Sequence, residues 1–184
     1  MEYTRETLAA NRPPPIPGMY DPLTELYNRP LFVQVMESLL RISIRQHMPV
    51  TLAIASIKNF SELKDLHTED EIDTLVKNSA DVIKAVSRDS DVLGHIEEDQ
   101  FALLLYNCDS KNSHIAIDRL RSQVWDKVQI DDENVDLVVG QATFGESHNA
   151  GSGQAISAIS DYLFSNALKS LESGGAEVQK VRPV

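Results

Sequence analysis

Apolar residues recur at helical spacing in four stretches of the chain and run almost unbroken in four others. Phe32, Val35, Met36, Leu39 and Leu40 mark a helix that reaches about His47, where Pro49 stops it. Asp21 or Thr24 offers a cap for its start. Val50–Ile57 is a continuous apolar run, the pattern of a central strand covered on both faces. Phe60–Leu66 reads as a short helix. Ile72, Leu75, Val76, Ala80, Ile83 and Val86 form one face of a longer helix that ends near Ser87. Ile117, Leu120, Val124 and Trp125 mark another helix, capped by Asp109 or Ser110, with Trp125 expected in the core. A polar turn, Asp131 to Asn134, leads into a strand over Val135–Phe144 that contains Gly140. Ile156, Ile159, Leu163, Ala167 and Leu171 define the last helix, which Gly174 and Gly175 stop. Ala176–Val181 adds a short final strand.

Between the second and third long helices lie two apolar runs, Val92–Ile96 and Phe101–Leu105, separated by Glu97-Glu98-Asp99-Gln100. Strand, tight turn, strand is a hairpin. Such turns favour Gly, Asn or Asp because they often need positive φ. Two adjacent glutamates there call for a reason. Helices and strands alternate around this hairpin, so one sheet in two or three layers follows, of α/β or α+β class.

The chain has 184 residues, which fits one domain at 20–184 preceded by an arm at 1–19. The arm carries Pro13-Pro14-Pro15-Ile16-Pro17-Gly18, an extended, linker-like composition that would join the domain to something upstream. A hydrophobic fraction of 42% supports a real core. The net charge of −11 argues against nucleic-acid or anionic-membrane partners, whose binding rests on Lys and Arg neutralising phosphates. Cys108 is the only cysteine, so a cysteine zinc cluster and an internal disulfide are excluded. The five histidines have no metal-ligand spacing. Gly151-Ser152-Gly153 reads as a loop rather than a phosphate cradle. No apolar stretch is long enough to span a bilayer, and a cytoplasmic location is expected.

These residues resemble a known family. Asp21-x-Leu23-Thr24-x-Leu26-x-Asn28-Arg29 matches the D-x-L-T-x-L-x-N-R opening of GGDEF domains, with Glu25 in place of the usual Gly. The apolar strand, Phe60, Asp73, and Asp99 with Phe101 in the hairpin fall at the family's spacing. The resemblance covers roughly Tyr20 to Val181. It implies a central, mainly antiparallel sheet of five to six strands flanked by helices, akin to nucleotidyl-cyclase and polymerase palms. Active members condense two GTP into cyclic di-GMP.

Against the family pattern, the catalytic positions are altered. The signature Gly-Gly-Asp/Glu-Glu-Phe is here Glu97-Glu98-Asp99-Gln100-Phe101. Bare glycines let the family's backbone approach the GTP phosphates, whereas two glutamates bring bulk and negative charge. One like-charge contact at about 4 Å costs on the order of 4 kcal/mol near a protein surface. The family's metal carboxylate, from a D-x-D-x-F pattern, falls on Ser56, with Lys58 two residues on as a competing cation. Mg²⁺ needs hard oxygen ligands, and Asp99 alone holds it poorly. The guanine-reading Asn aligns with Lys64, its partner Asp is kept as Asp73, and the phosphate-holding Lys aligns with Leu168, next to Lys169. No catalytic residue and no metal site is therefore expected, and Asp73 and Asp99 read as solvated acids.

One functional pattern is retained. Arg88-Asp89-Ser90-Asp91 fits the family's R-x-x-D product-binding site, five residues ahead of the signature turn, and Arg119 is the matching Arg of the following helix. A guanidinium fork can meet guanine O6 and N7 or a phosphate, and a carboxylate can accept from guanine N1 and N2. The competing reading makes Arg88 a helix-end cation and Asp91 a turn cap. The resemblance thus implies an inactive receptor for cyclic di-GMP at Arg88, Asp91 and Arg119, needing no cofactor. In the family an intercalated ligand dimer cross-links two such domains, so a ligand-driven homodimer is implied. The alternatives are a protein-interaction scaffold without nucleotide, with an unidentified protein partner, and a domain with residual GTP binding or turnover.

Overall fold

The computed structural model describes residues 18–145 and 155–174, with the backbone of Gln179–Lys180. Most of the expected arm and the Gly151–Gly153 loop lie outside the described residues. A six-stranded sheet runs in the order β1 (Tyr27–Asn28), β3 (Val92–Glu97), β4 (Gln100–Tyr106), β2 (Val50–Ile57), β7 (Leu137–Phe144), β8 (Gln179–Lys180). Each of the four central strands is antiparallel to its neighbour among them, and the two short outer strands pair in parallel. A separate two-stranded ribbon, β5 (Gln129–Ile130) and β6 (Glu133–Asn134), folds about Asp131 and Asp132, both at positive φ. The expected polar turn is therefore the tip of a small hairpin.

Among the described residues five helices lie around the sheet: α1 (Arg29–Gln46), α2 (Phe60–Leu66), α3 (Glu69–Val86), α4 (Ser110–Lys127) and α5 (Ile156–Glu172). The expected β2 has apolar partners on both faces. Val50, Leu52 and Ile54 pack with Phe32 and Met36 of α1 and Leu163 of α5. Ala53, Ala55 and Ile57 pack with Leu75, Ile83 and Leu120 of α3 and α4. Strand alternation alone sorts these side chains between two cores. Helix α5 lies so close to β7 that a Cβ on Gly140 would stand 2.1 Å from the Ala167 carbonyl oxygen and 2.3 Å from the Leu171 nitrogen.

Two expectations are corrected. The cap of α1 is Asn28, whose side chain accepts from Leu31 N at 3.1 Å, and neither Asp21 nor Thr24. Asp21 instead accepts from Thr24 N at 2.8 Å and Thr24 Oγ1 at 2.7 Å, closing a loop ahead of the helix. Trp125 is not in the core but 47% exposed. The buried stripe of α4 is Ser113, Ile117, Leu120 and Val124, and residue 125 is rotated about 100° from its last member.

Candidate functional site

The β3–β4 hairpin sets the first site. Its ladder pairs Glu97 with Gln100 and carries a bulge between His95 and Glu97, leaving Glu98 and Asp99 at the tip. None of the four turn residues is among those with positive φ, so the turn tolerates glutamates without backbone strain. Glycine is not required there for conformation.

Each acid of the turn is engaged from a different element. Glu97 pairs with Arg29 at the start of α1, with both side chains about half exposed. Glu98 pairs with Lys64 of α2 at 2.6 Å. That hydrogen bond, with the Glu98 charge behind it, raises the Lys64 pKa. Ser56 Oγ donates to Asp99 Oδ2, and Ile57 N donates to the Asp99 carbonyl at 3.1 Å. Asp99 is thus half-buried and bonded rather than plainly solvated, because the β2 end runs alongside it. Below the turn, His95 sits on Phe101 with ring centroids 5.1 Å apart. Its Nδ1 lies 3.1 Å from Asp21 Oδ1 and its Nε2 3.2 Å from the Glu98 carbonyl. Burial pushes the Asp21 carboxyl upward, but its Thr24 hydrogen bonds and His95 outweigh that and leave its pKa lowered.

The turn stands between two open grooves. One, about 550 Å³, is lined by Ser56, Phe60, Lys64, Glu98 and Asp99 among others. The other, about 490 Å³, lies between Arg29, Glu97 and the apolar Phe164 and Leu168 of α5. Arg29 also sits over the Phe164 ring, 5.9 Å from its centroid. Lys58 is outside both grooves and pairs with Asp136 at 3.7 Å, since the chain leaves β2 toward β7 at Ile57. The cation beside the turn is Lys64 instead. Asp73 is exposed on α3 and lines neither groove. Gln100 opens β4.

The oxygens near the first groove do not fit Mg²⁺. A hard cation of that kind takes carboxylates free to face it. Here Ser56 and Asp99 are bonded to each other and Glu98 to Lys64. Among the described residues no group of three His, Cys, Asp or Glu is placed to hold a metal ion.

The second site lies at the end of α3. Arg88 N donates to Asp91 Oδ2 at 2.9 Å, and Asp91 N donates to the Arg88 carbonyl at 3.0 Å, so Asp91 does cap this turn. Arg119 reaches across from α4 and donates from Nη2 to the Val86 carbonyl at 2.9 Å. The helix-end cation is therefore Arg119, and the Arg88 side chain is left exposed. Among the described residues Arg88 makes no ion pair. Burial raises the Asp91 pKa, while the Arg88 N–H and the charges of Arg88 and Arg119 pull it back in part. Asp91 thus feels both guanidiniums, and the three residues that the sequence singles out meet around one half-buried carboxylate. The crevice between Val86, Asp91, Leu103 and Arg119 is small, about 20 Å³.

Sequence reasoning missed Arg29, His95 and Phe164 as parts of the turn's surroundings. The available signal was the acidic turn itself, whose charges attract cations from whichever helix ends face it.

The family model described as diguanylate cyclase, GGDEF domain, matches residues 18–168. Among curated proteins, the probable diguanylate cyclase DgcE of Escherichia coli is 29% identical over 107 residues, 58% of this chain and 10% of that protein. The cyclic di-GMP phosphodiesterase NbdA of Pseudomonas aeruginosa is 28% identical over 112 residues, 61% of this chain and 14% of that protein. The chain therefore spans only a small part of these relatives. Among solved structures, the FimX GGDEF domain from Pseudomonas aeruginosa superposes with a TM-score of 0.72 at 20% identity, covering 89% of this chain and 99% of that one. The GGDEF domain of DgcB from Caulobacter crescentus, in complex with c-di-GMP, gives 0.74 at 16% identity, covering 90% and 97%. At such identities the structures speak for the fold. No helix among the described residues is long and apolar enough to cross a membrane. From the family match over residues 18–168 and the shared fold, the chain belongs to the GGDEF family.

Proposed function

We propose that this chain is a GGDEF domain without cyclase turnover that serves as a cyclic di-GMP receptor through Arg88, Asp91 and Arg119. The observation that carries this reading is the exposed, unpaired guanidinium of Arg88 beside the half-buried Asp91. Asp91 uses Oδ2 on the Arg88 N–H and keeps Oδ1 as an acceptor. That oxygen suits the N1 and N2 hydrogens of a guanine, while the Arg88 fork suits O6 and N7 or a phosphate. Arg119 spends one nitrogen on Val86 and has donors left.

The turn supports the absence of turnover. Its carboxylates already occupy the two cations that a triphosphate would seek, Arg29 and Lys64. The binding chemistry calls on no cofactor. It needs no metal either, since the receptor site uses hydrogen bonds and the charges of Arg88 and Arg119.

Calorimetry with cyclic di-GMP tests the receptor reading. Wild type is expected to give saturable heat, and Arg88→Ala to lose at least about tenfold in affinity, the loss expected for a charged hydrogen-bond donor. No heat from wild type ends this reading. Incubation with GTP and Mg²⁺ or Mn²⁺ tests the other half, because any cyclic di-GMP formed by pure protein contradicts the absence of turnover.

A further inference from the structure

His95 faces two hydrogen-bond acceptors at once. Its Nδ1 lies 3.1 Å from Asp21 Oδ1 and its Nε2 3.2 Å from the Glu98 carbonyl oxygen. A carbonyl only accepts, and so does an ionised carboxylate. Asp21 is of the ionised kind: Thr24 N and Thr24 Oγ1 already donate to the same Oδ1, and its pKa is lowered. A neutral imidazole has one N–H, so in either tautomer one ring nitrogen turns a lone pair toward an oxygen. Only the doubly protonated ring donates at both ends. Room to avoid the clash is limited. The ring lies on Phe101 with 23° between the planes, and the His95 side chain is 9% exposed. Asp21 is fixed by its loop, since Asp21 N donates to the Leu26 carbonyl at 2.8 Å and Glu25 N donates to the Asp21 carbonyl at 2.9 Å.

We propose that the proton on His95 Nε2 is a switch for the β3–β4 turn. With both ring nitrogens protonated, His95 ties the loop at Asp21 to the tip of the turn. When one proton leaves, it is the Nε2 proton, because the Nδ1–H bond ends on a charged carboxylate and is the stronger of the two. Asp21 then keeps the ring, and the Glu98 carbonyl loses its donor. Glu98 and Asp99 lie beyond the last ladder pair, Glu97 with Gln100. Asp99 stays tied to β2 through Ile57 N and Ser56 Oγ, so the displacement falls on Glu98. That residue also pairs with Lys64 at the first groove, whose lining shifts with it. The other charged groups near the ring are Glu97 with Arg29 of α1, and Lys84 of α3, which donates to the Thr24 carbonyl. Carboxylates, lysines and arginines ordinarily keep their charge where an imidazole changes its own, so the ring is the variable element.

The switch involves neither Arg88 nor Asp91, so NMR without nucleotide tests it separately from the receptor reading. Over about pH 5–8, where imidazoles change charge, the Glu98 carbonyl carbon and the Asp99 amide of wild type are expected to shift with the same midpoint as the His95 ring. The ring nitrogen shifts are expected to show the neutral form protonated at Nδ1. An arginine keeps its charge and its donors at every such pH, so in His95→Arg the two turn signals are expected to stop titrating. The tautomer is read in wild type, which keeps the test decisive if the variant fails to fold. A neutral ring protonated at Nε2 overturns the proposal. So does a ring whose proton count does not change over that range, or a pair of turn signals that ignores the His95 midpoint or still titrates in His95→Arg.

Discussion

The two sites of this domain treat charge in opposite ways. At the β3–β4 turn every carboxylate has an internal partner: Arg29 for Glu97, Lys64 for Glu98 and Ser56 for Asp99. At the end of α3 the Arg88 guanidinium is left in solvent, and only the carboxylate beside it is tied down. A group whose hydrogen bonds are spent inside the molecule must break them to meet a ligand. A group left in solvent, with donors unspent, need not. The family's familiar turn is thus the less inviting of the two places for an anion, and the less conspicuous turn upstream the more inviting.

The largest expected effect separates the two regions mechanically. Helix α5 supplies Phe164 and Leu168 to the groove beside the turn and rests on β7 at Gly140. A methyl there collides with the α5 backbone, which has no rotamer to escape into. Gly140→Ala should therefore lower stability by at least about 3 kcal/mol, read from the urea midpoint. The α3–α4 face lies across the sheet. At temperatures where the variant stays folded, its cyclic di-GMP affinity should match wild type. Equal losses of stability and affinity would mean that the two regions are not separate.

Asp91→Asn sharpens the contrast at the other site. Burial holds the Asp91 pKa above its ordinary 3.8 despite Arg88 and Arg119. A raised folded-state value means a contribution to stability present below the unfolded pKa and lost as pH rises through the folded one. At neutral pH the ionised Asp91 therefore costs the fold. An amide can still accept from the Arg88 N–H, so stability should be equal or higher. Ligand affinity should fall about tenfold or more, because a charged acceptor for guanine is gone. For wild type, affinity should decline on acidification sooner than an ordinary carboxylate would dictate. Calorimetry across pH with both proteins decides.

A smaller effect is expected at Glu25, which holds φ 58° where the resembling motif has glycine. An L-residue in that region costs about 1–2 kcal/mol, offset in part by the extra unfolded-state freedom of glycine. Glu25→Gly should raise stability by about 0.5–1 kcal/mol in thermal or urea unfolding. The loop it tightens, Asp21 to Leu26, carries the acid that holds His95 under the turn.

The reach of the sequence follows from how local each feature is. The β2 run, the buried stripe of α3 and the Arg88–Asp91 offset were legible because they depend on residues close in sequence. Trp125 was misplaced because its hydrophobicity says nothing of its azimuth, and Val124 already occupied the inward position. Arg29 and Glu97 are 68 residues apart, and Lys64 and Glu98 are 34 apart. Those pairs arise from how α1 and α2 are set against the hairpin. The sequence could supply the unpaired charges of the turn but not the identity of their partners. Lys58 was expected beside the turn and Lys64 only as a lost reader of guanine, and strand direction at the end of β2 decided between them.

The smallest expected change is in stability when the turn's acids are neutralised. Glu97→Gln and Glu98→Gln remove exposed ion pairs, which solvent screens and which contribute little to stability. Each variant should unfold close to wild type. The Lys64 pKa is raised by its hydrogen bond to Glu98, so that pair's support exists below 10.5 and fades as pH rises through the folded value. Glu98→Gln should flatten only this alkaline limb of the stability curve. The same substitutions should have a far larger effect on anion binding, since they release Arg29 and Lys64. A fluorescent GTP analogue should bind the double variant more tightly than wild type, and the gain should shrink with added salt. If the double variant binds no better, the carboxylates were not what kept phosphates out. The contrast between a self-satisfied turn and an open upstream site would then have to rest on shape, with the apolar Leu168 and Phe164 wall as the first place to look.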